Sequence, residues 1–171
     1  ECAAVLGLSE KLEFHPGKVA GRGNMFKVDQ ALRIVKTTNV RCDKTNEWIF
    51  EKIEAVVNKC NKRAYKFNIT GLTEELQLIR YGPGSHYVWH KDFGGGPNSR
   101  RKLSIAIQLT DPSGYEGGDL EIWSGGPRPF AAPKEQGTMS IFPSFQLHRV
   151  LPVTSGIRYA LVGWVNGPPF K

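Results

Sequence analysis

The sequence predicts a mainly β domain of the sandwich or barrel type supported by one helix, and three observations carry that expectation. Seven short apolar runs, separated by clusters of Gly, Pro, Asn, Asp and Ser, follow Gly71, the spacing of an antiparallel β architecture and not of alternating βαβ units. Nineteen Gly and eleven Pro among 171 residues favour frequent turns over long helices. One segment alone, residues 43–64, sustains a helical period. With 40% hydrophobic and 23% charged residues, the chain has the material for a sizeable core, which excludes a disordered polymer.

Taken in order, residues 5–41 show no sustained period, with a glycine-rich turn at Gly21 and Gly23, and are expected to form strands and loops. In residues 43–64, Ile49, Ile53, Val56, Val57 and Cys60 recur at helical spacing, with Asp43, Thr45 or Asn46 placed to cap the first turn. That stripe is expected to be a core face. The expected strands are residues 76–81, 87–92, 102–110, 119–123, 138–142, 148–153 and 157–165. Residues 1–171 are expected to form one domain, with 1–70 as N-terminal support and 71–166 as the β core.

No run of 18 apolar residues is present, and the N-terminus lacks the basic-then-apolar pattern of a signal peptide. A cytoplasmic chain without membrane contact is therefore expected. The three cysteines, Cys2, Cys42 and Cys60, include no CxxC pair and are odd in number, which points to reduced, structural thiols. The net charge of +7 suits an acidic partner or a nucleic acid and does not choose between them.

Chemistry concentrates in three places. In the run Tyr87-Val88-Trp89-His90-Lys91-Asp92, strand alternation would direct His90 and Asp92 to one face. His148 opens a later strand, and a sandwich can bring the two strands together at its mouth. Two imidazoles and one carboxylate on one face of an ion leave positions open, the facial triad of non-haem Fe(II) sites. Structural zinc takes four ligands, and three are in view. A metal-dependent hydrolase or a β-sandwich binding module with an idle triad remains open at this point. Arg158 sits in the otherwise apolar run Ile157–Trp164. A guanidinium buried there needs an anion, supplied by a ligand or by another side chain.

An ordered set of motifs extends these residues: Tyr81-Gly82-Pro83-Gly84, His90-x-Asp92, Arg101-Lys102-Leu103-Ser104, Tyr115-Glu116-Gly117-Gly118-Asp119-Leu120, Phe142-Pro143-Ser144, His148-Arg149-Val150 and Arg158-Tyr159-Ala160. Over residues 76–164, about half of the chain, the set resembles the Fe(II)- and 2-oxoglutarate-dependent dioxygenases of the prolyl 4-hydroxylase-like, PKHD-type family. The resemblance implies a double-stranded β-helix (jelly roll, cupin-like) with the N-terminal helix packed on one sheet. It implies that His90, Asp92 and His148 bind iron and that Arg158 pairs with the distal carboxylate of 2-oxoglutarate. Tyr81 and Tyr87 match tyrosines beside the co-substrate and the metal. Ser104 and Gln108 share a strand face directed at the pocket, although several animal prolyl hydroxylases carry Tyr where Gln108 stands. Trp164, on the same face as Arg158, would form an apolar wall.

The implied reaction is hydroxylation of a C–H bond with 2-oxoglutarate and O2 consumed and succinate and CO2 released, ascorbate serving as reductant. The resemblance favours a monomer acting on proline in a peptide or protein. Another residue, a small molecule or methylated nucleic acid shares the same cofactor chemistry. The nucleic-acid reading is disfavoured, because demethylases resemble a pattern with a second arginine where Trp164 stands. Residues 93–99 have the composition of a mobile lid or of a plain hairpin connection, and the basic run Arg100-Arg101-Lys102 beside them is a solvated face or a substrate contact. His86 is read as rim.

Overall fold

A computed structural model describes residues 1–20 and 26–170; the turn expected at Gly21 and Gly23 lies outside the described residues. The N-terminal support begins with a short helix, α1 (Cys2–Leu6), which no period in five residues could announce. Five short strands follow: β1 (His15–Pro16), β2 (Val19–Ala20), β3 (Phe26–Lys27), β4 (Arg33–Ile34) and β5 (Lys36–Val40).

The expected amphipathic helix is α2 (Glu47–Cys60), extended by a π turn over Asn61–Tyr65. The expected side-chain cap on the first turn is not formed: Asn46 is the N-cap and makes no capping side-chain bond, and Asp43 instead closes the turn before the helix, its Oδ1 accepting from the backbone N–H of Thr45 at 2.8 Å and of Asn46 at 3.1 Å. The buried stripe is Ile49, Phe50, Ile53 and Val57. Val56, expected on that stripe, is 48% exposed. Phe50 takes its place, because it stacks one turn before Ile53 and two before Val57.

The β core then runs through β6 (Gly71–Leu72), β7 (Leu76–Tyr81), β8 (His86–His90), β9 (Arg101–Gln108), β10 (Tyr115–Gly117), β11 (Leu120–Trp123), β12 (Phe130–Ala131), β13 (Met139–Pro143), β14 (Leu147–Val150), β15 (Val153–Gly156) and β16 (Arg158–Asn166). The larger sheet has the order β1-β5-β7-β16-β9-β13, with β6 beside one end of β16; the smaller has the order β12-β11-β14-β8-β4. Among the described residues every pairing is antiparallel. The run expected as one strand at 148–153 is broken at Leu151-Pro152. Proline has no N–H to continue a ladder, so β14 stays in the smaller sheet while β15 pairs with β10.

Alternation along the larger sheet makes two cores. Leu76 and Leu78 on β7 and Leu161 and Val165 on β16 face α2, joining Ile49, Phe50, Ile53 and Val57. The opposite face presents Ile79, Tyr81, Ala106 and Ala160, which meet Leu120, Ile122 and Val150 of the smaller sheet. Two antiparallel sheets closed over a shared core, with a helix on the outside of one, are the double-stranded β-helix arrangement expected. Among the described residues no helix is long and apolar enough to cross a membrane.

Leu161, 1% exposed, lies opposite Leu78 at the centre of the helix-side core. Leu161→Ala is expected to destabilise the fold by about 2–5 kcal/mol in denaturant unfolding. Val56→Ala is expected to change it by less than about 0.5 kcal/mol.

Candidate metal centre

The site is built where β8 meets β14. His148 stands directly opposite His90, but the next aligned pair is Val150 with Tyr87, three residues back on β8 against two forward on β14. The extra residue is a bulge in β8, and it re-aims the side chains on either side. Tyr87 and His90, which strict alternation would send to opposite faces, lie together with ring centroids 3.4 Å apart and planes 15° apart.

Asp92 lies beyond the end of β8 and not, as expected, on the strand. Its placement comes from the backbone: the N–H groups of Asp92 and Phe93 both donate to the Ser144 carbonyl, at 3.0 and 2.9 Å.

The three side chains converge. His90 Nε2 is 3.8 Å from Asp92 Oδ1, His148 Nε2 is 3.4 Å from Asp92 Oδ2, and the three candidate donor atoms lie within 4.8 Å of one another. His90 Nδ1 is 2.8 Å from the Val88 carbonyl and His148 Nδ1 is 3.0 Å from the Gln146 carbonyl. A carbonyl only accepts, so both rings carry a proton on Nδ1, which leaves the Nε2 of each, once free of a proton, to present its lone pair to the centre. Ser104 Oγ donates to Asp92 Oδ2 at 2.6 Å and lies 3.1 Å from Ser144 Oγ.

Burial, followed by the charge of His148, pushes His90 down to about 3, so its imidazole is neutral across the physiological range. Burial alone would raise the Asp92 carboxyl, but the hydrogen bond and charge of His148, with smaller contributions from His90 and Ser104, hold it well below the usual carboxylate range. Burial opposes the cation of His148, and the hydrogen bond and charge of Asp92 outweigh it and raise the pKa. A neutral imidazole and a deprotonated carboxylate are the forms a divalent metal takes.

Arg158, on β16, lines the same cavity of about 1050 Å³ as the triad. It is 1% exposed. Its Nε donates to Gln108 Oε1 at 3.0 Å, its Cζ lies 4.8 Å from the centroid of the Tyr81 ring, and its Nη1 is buried with no hydrogen-bond partner in the protein. A buried cationic donor without a protein acceptor fits a carboxylate ligand. Residues 158, 160, 162 and 164 of β16 all line the cavity, as alternation requires.

Some expected details differ. Ser104 holds Asp92, and Gln108 engages Arg158. Trp164 lines the cavity beneath a cation, the Arg101 guanidinium, whose Cζ is 3.8 Å from the ring centroid. Arg101 is no solvated charge: its Nε donates to Glu74 at 2.9 Å and its Nη1 to the Asp92 carbonyl at 3.4 Å. Lys102 is 4% exposed, with Nζ 3.2 Å from the centroid of Phe170. Of the basic run, Arg100 alone is exposed.

The expected lid is ordered in part as a 3₁₀ turn over Gly96–Arg100, with Pro97 near its start presetting φ and Ser99 Oγ donating to the Gly96 carbonyl at 2.7 Å. His86 is not among the three side chains of the cluster, and its Nδ1 is 3.1 Å from the Gly84 carbonyl. Sequence reasoning gave Ser144 no role beyond its motif, read Arg101 as a solvated or substrate-contacting charge, and passed over Arg33, a 7% exposed cation lining the same cavity. The signal was there for Arg33, since Leu32-Arg33-Ile34-Val35 embeds a cation in an apolar run just as the segment around Arg158 does. Ser104→Ala removes the hydroxyl that orients Asp92 and is expected to weaken Fe(II) or Mn(II) binding by about 10- to 100-fold in anaerobic calorimetry. Unchanged affinity would contradict that role.

Comparison with known proteins agrees with this geometry. The profile of the 2OG-Fe(II) oxygenase superfamily matches residues 76–166, the span from β7 to β16. A PKHD-type hydroxylase of Synechococcus sp. (strain CC9605) is 40% identical over 102 residues, covering 58% of this chain and 45% of its own. One from Rippkaea orientalis is 35% identical over 142 residues, with 78% and 62% covered, and one from Prochlorococcus marinus (strain NATL2A) is 30% identical over 160 residues, with 92% and 68% covered. The chain thus spans about half to two thirds of the length of these relatives. Among solved structures, a Pseudomonas putida prolyl-4-hydroxylase aligns with a TM-score of 0.74 at 18% identity over 96% of this chain and 83% of that one. A Trichoplax adhaerens prolyl hydroxylase, in complex with a hypoxia inducible factor oxygen degradation domain peptide fragment, aligns at 0.76 and 20% identity over 96% and 78%. These two show a shared fold. With the profile covering more than half of the chain, from β7 to β16, and the Prochlorococcus relative aligned over nearly the whole chain, the chain belongs to the 2OG-Fe(II) oxygenase superfamily.

Proposed function

We propose that the chain is a Fe(II)- and 2-oxoglutarate-dependent hydroxylase acting on prolyl residues of a peptide or protein. The observation that carries this reading is the unpartnered, buried Nη1 of Arg158 in the same cavity as the His90, Asp92 and His148 cluster. Metal-dependent hydrolysis needs no 2-oxo acid and so gives that cation no co-substrate to hold. Bound Fe(II), with 2-oxoglutarate and O2 as co-substrates and ascorbate as an external reductant, supplies the oxidising chemistry, with succinate and CO2 as by-products.

The protein's part is placement. His90, Asp92 and His148 hold the metal from one side and leave the other to ligands. Gln108 occupies Nε of Arg158 and so turns the remaining guanidinium edge to the distal carboxylate of 2-oxoglutarate, with the Tyr81 ring at its flank. Tyr87 covers His90, and burial raises its phenol to about 12, which keeps it a neutral donor beside the metal. Ser104 steadies Asp92. Trp164, together with apolar groups such as Ala160 and Phe142, keeps water from the reacting centre.

Proline is favoured by the Pseudomonas and Trichoplax neighbours, both prolyl hydroxylases, the second in complex with a peptide. Nucleic acid is disfavoured by Trp164, which fills a position that a cation would take in a demethylase. Three unpaired cysteines suit a reducing cytoplasm.

Arg158→Ala is expected to weaken 2-oxoglutarate binding about a hundredfold, the loss of charge-assisted hydrogen bonds from a buried cation, while Fe(II) affinity stays within about threefold. Anaerobic calorimetry reads both. Equal 2-oxoglutarate affinity in the variant would remove Arg158 from its assigned role. Proline-containing peptides incubated with the loaded enzyme are expected to gain one oxygen by mass, with methylated oligonucleotides as the comparison class. Oxygen transfer to those alone would overturn the proline assignment.

A further inference from the structure

Arg158 has a counterpart across the cavity. Arg33, from β4, is 7% exposed, and its partners are all neutral: Nη1 donates to the Lys18 carbonyl at 2.9 Å, Nη2 to Gln77 Oε1 at 3.5 Å, and Cζ stands 4.8 Å from the centroid of the Tyr87 ring. Its Nε is buried with no hydrogen-bond partner. Among the described residues no carboxylate lies within ion-pairing distance of it. Dipoles and a ring face return part of the lost hydration. A cation withdrawn from water without a counter-charge remains unfavourable, and the same reasoning assigns an anionic ligand to Arg158.

Position adds to this. Tyr87 lies between Arg33 and His90, in contact with both, so Arg33 stands one ring away from the candidate metal ligand. The cavity is shared, and at about 1050 Å³ it exceeds what a five-carbon co-substrate fills, leaving room for an extended chain. Lys18 and Lys91 line it as well, and neither has an acidic partner among the described residues. Of the three acidic groups that line it, Asp92 belongs to the metal cluster, Glu75 is paired with Arg41 at 2.8 Å, and Asp43 accepts from the backbone N–H groups of Thr45 and Asn46 in the turn before α2. The wall beside the metal cluster is therefore positive.

We propose that Arg33 anchors a carboxylate of the primary substrate, so that the segment entering this cavity is acidic close to the residue that meets the metal. The inference rests on the hydroxylase reading for what the cavity is, and it adds the charge of what the cavity accepts. Two sources supply the same chemistry, an Asp or Glu side chain and a free C-terminal carboxylate.

A randomised proline-centred peptide library, equilibrated anaerobically with immobilised protein carrying Fe(II) and 2-oxoglutarate, tests it. With amidated C-termini, retained peptides are expected to be enriched about tenfold in Asp or Glu at a fixed offset from proline, and Arg33→Gln is expected to abolish the enrichment. Enrichment confined to a second library with free C-termini assigns the anchored group to the chain terminus. Retention without acidic preference in either library, or a preference that R33Q leaves intact, overturns the proposal. Should R33Q fail to fold, the Nε–Hε NMR resonance of Arg33 in the unmodified protein is expected to shift with a retained acidic peptide and not with its amide counterpart. A resonance that does not move also overturns it. Admitting dioxygen to the retained peptides then tests the hydroxylase reading on its own: acidic peptides that bind and gain no oxygen contradict that reading and leave the anchor standing.

Discussion

The pairing of β8 with β14 sets the register on which the site depends. It places His148 opposite His90, and its bulge lays Tyr87 over His90. Because strand side chains alternate, a slip of one residue would turn His148 away from the cavity and bring Arg149, now paired with Glu121 at 2.7 Å on the other face, into its place. Asp92 follows from the same junction, because the Ser144 carbonyl that receives its N–H belongs to the short link between β13 and β14.

The larger sheet contributes rigidity. β16 lies between β7 and β9, its outer face sealed by α2 and its inner face open to the cavity. Arg158 therefore projects from a strand hydrogen-bonded on both sides, and Gln108 and Tyr81 hold its guanidinium from neighbouring strands. A binding group placed in this way needs little reorganisation when its ligand arrives. The triad comes mainly from one sheet and the arginine from the other, so the two parts of the site meet only in the folded jelly roll.

Much of this was legible in the residues, though not always for the reason offered. The helix showed in its apolar spacing, and the misplacement of Val56 reflects how narrow the stripe is when an aromatic such as Phe50 can fill the same depth. Alternation correctly grouped His90 with Asp92, yet the strand stops at His90 and a loop carbonyl completes the geometry. Pro152 marked a strand break that the apolar texture of residues 148–153 concealed. For Gln108 the strand face could be inferred, but its partner depends on which strand lies beside β9, a property of topology and not of local sequence. Arg33 escaped notice because residues 5–41 lack a sustained period, although the apolar run Leu32–Val35 around it carried the same signal as the segment around Arg158.

The central claim is that the His90, Asp92 and His148 cluster and Arg158 together form one Fe(II)–2-oxoglutarate site. Anaerobic titration of the metal-free protein, first with Fe(II) and then with 2-oxoglutarate, tests it most directly by following the weak visible charge-transfer absorption of a 2-oxo acid chelated to iron. One equivalent of 2-oxoglutarate per chain is expected to develop the band fully. A folded, iron-loaded protein that develops no band would contradict the site as assigned here.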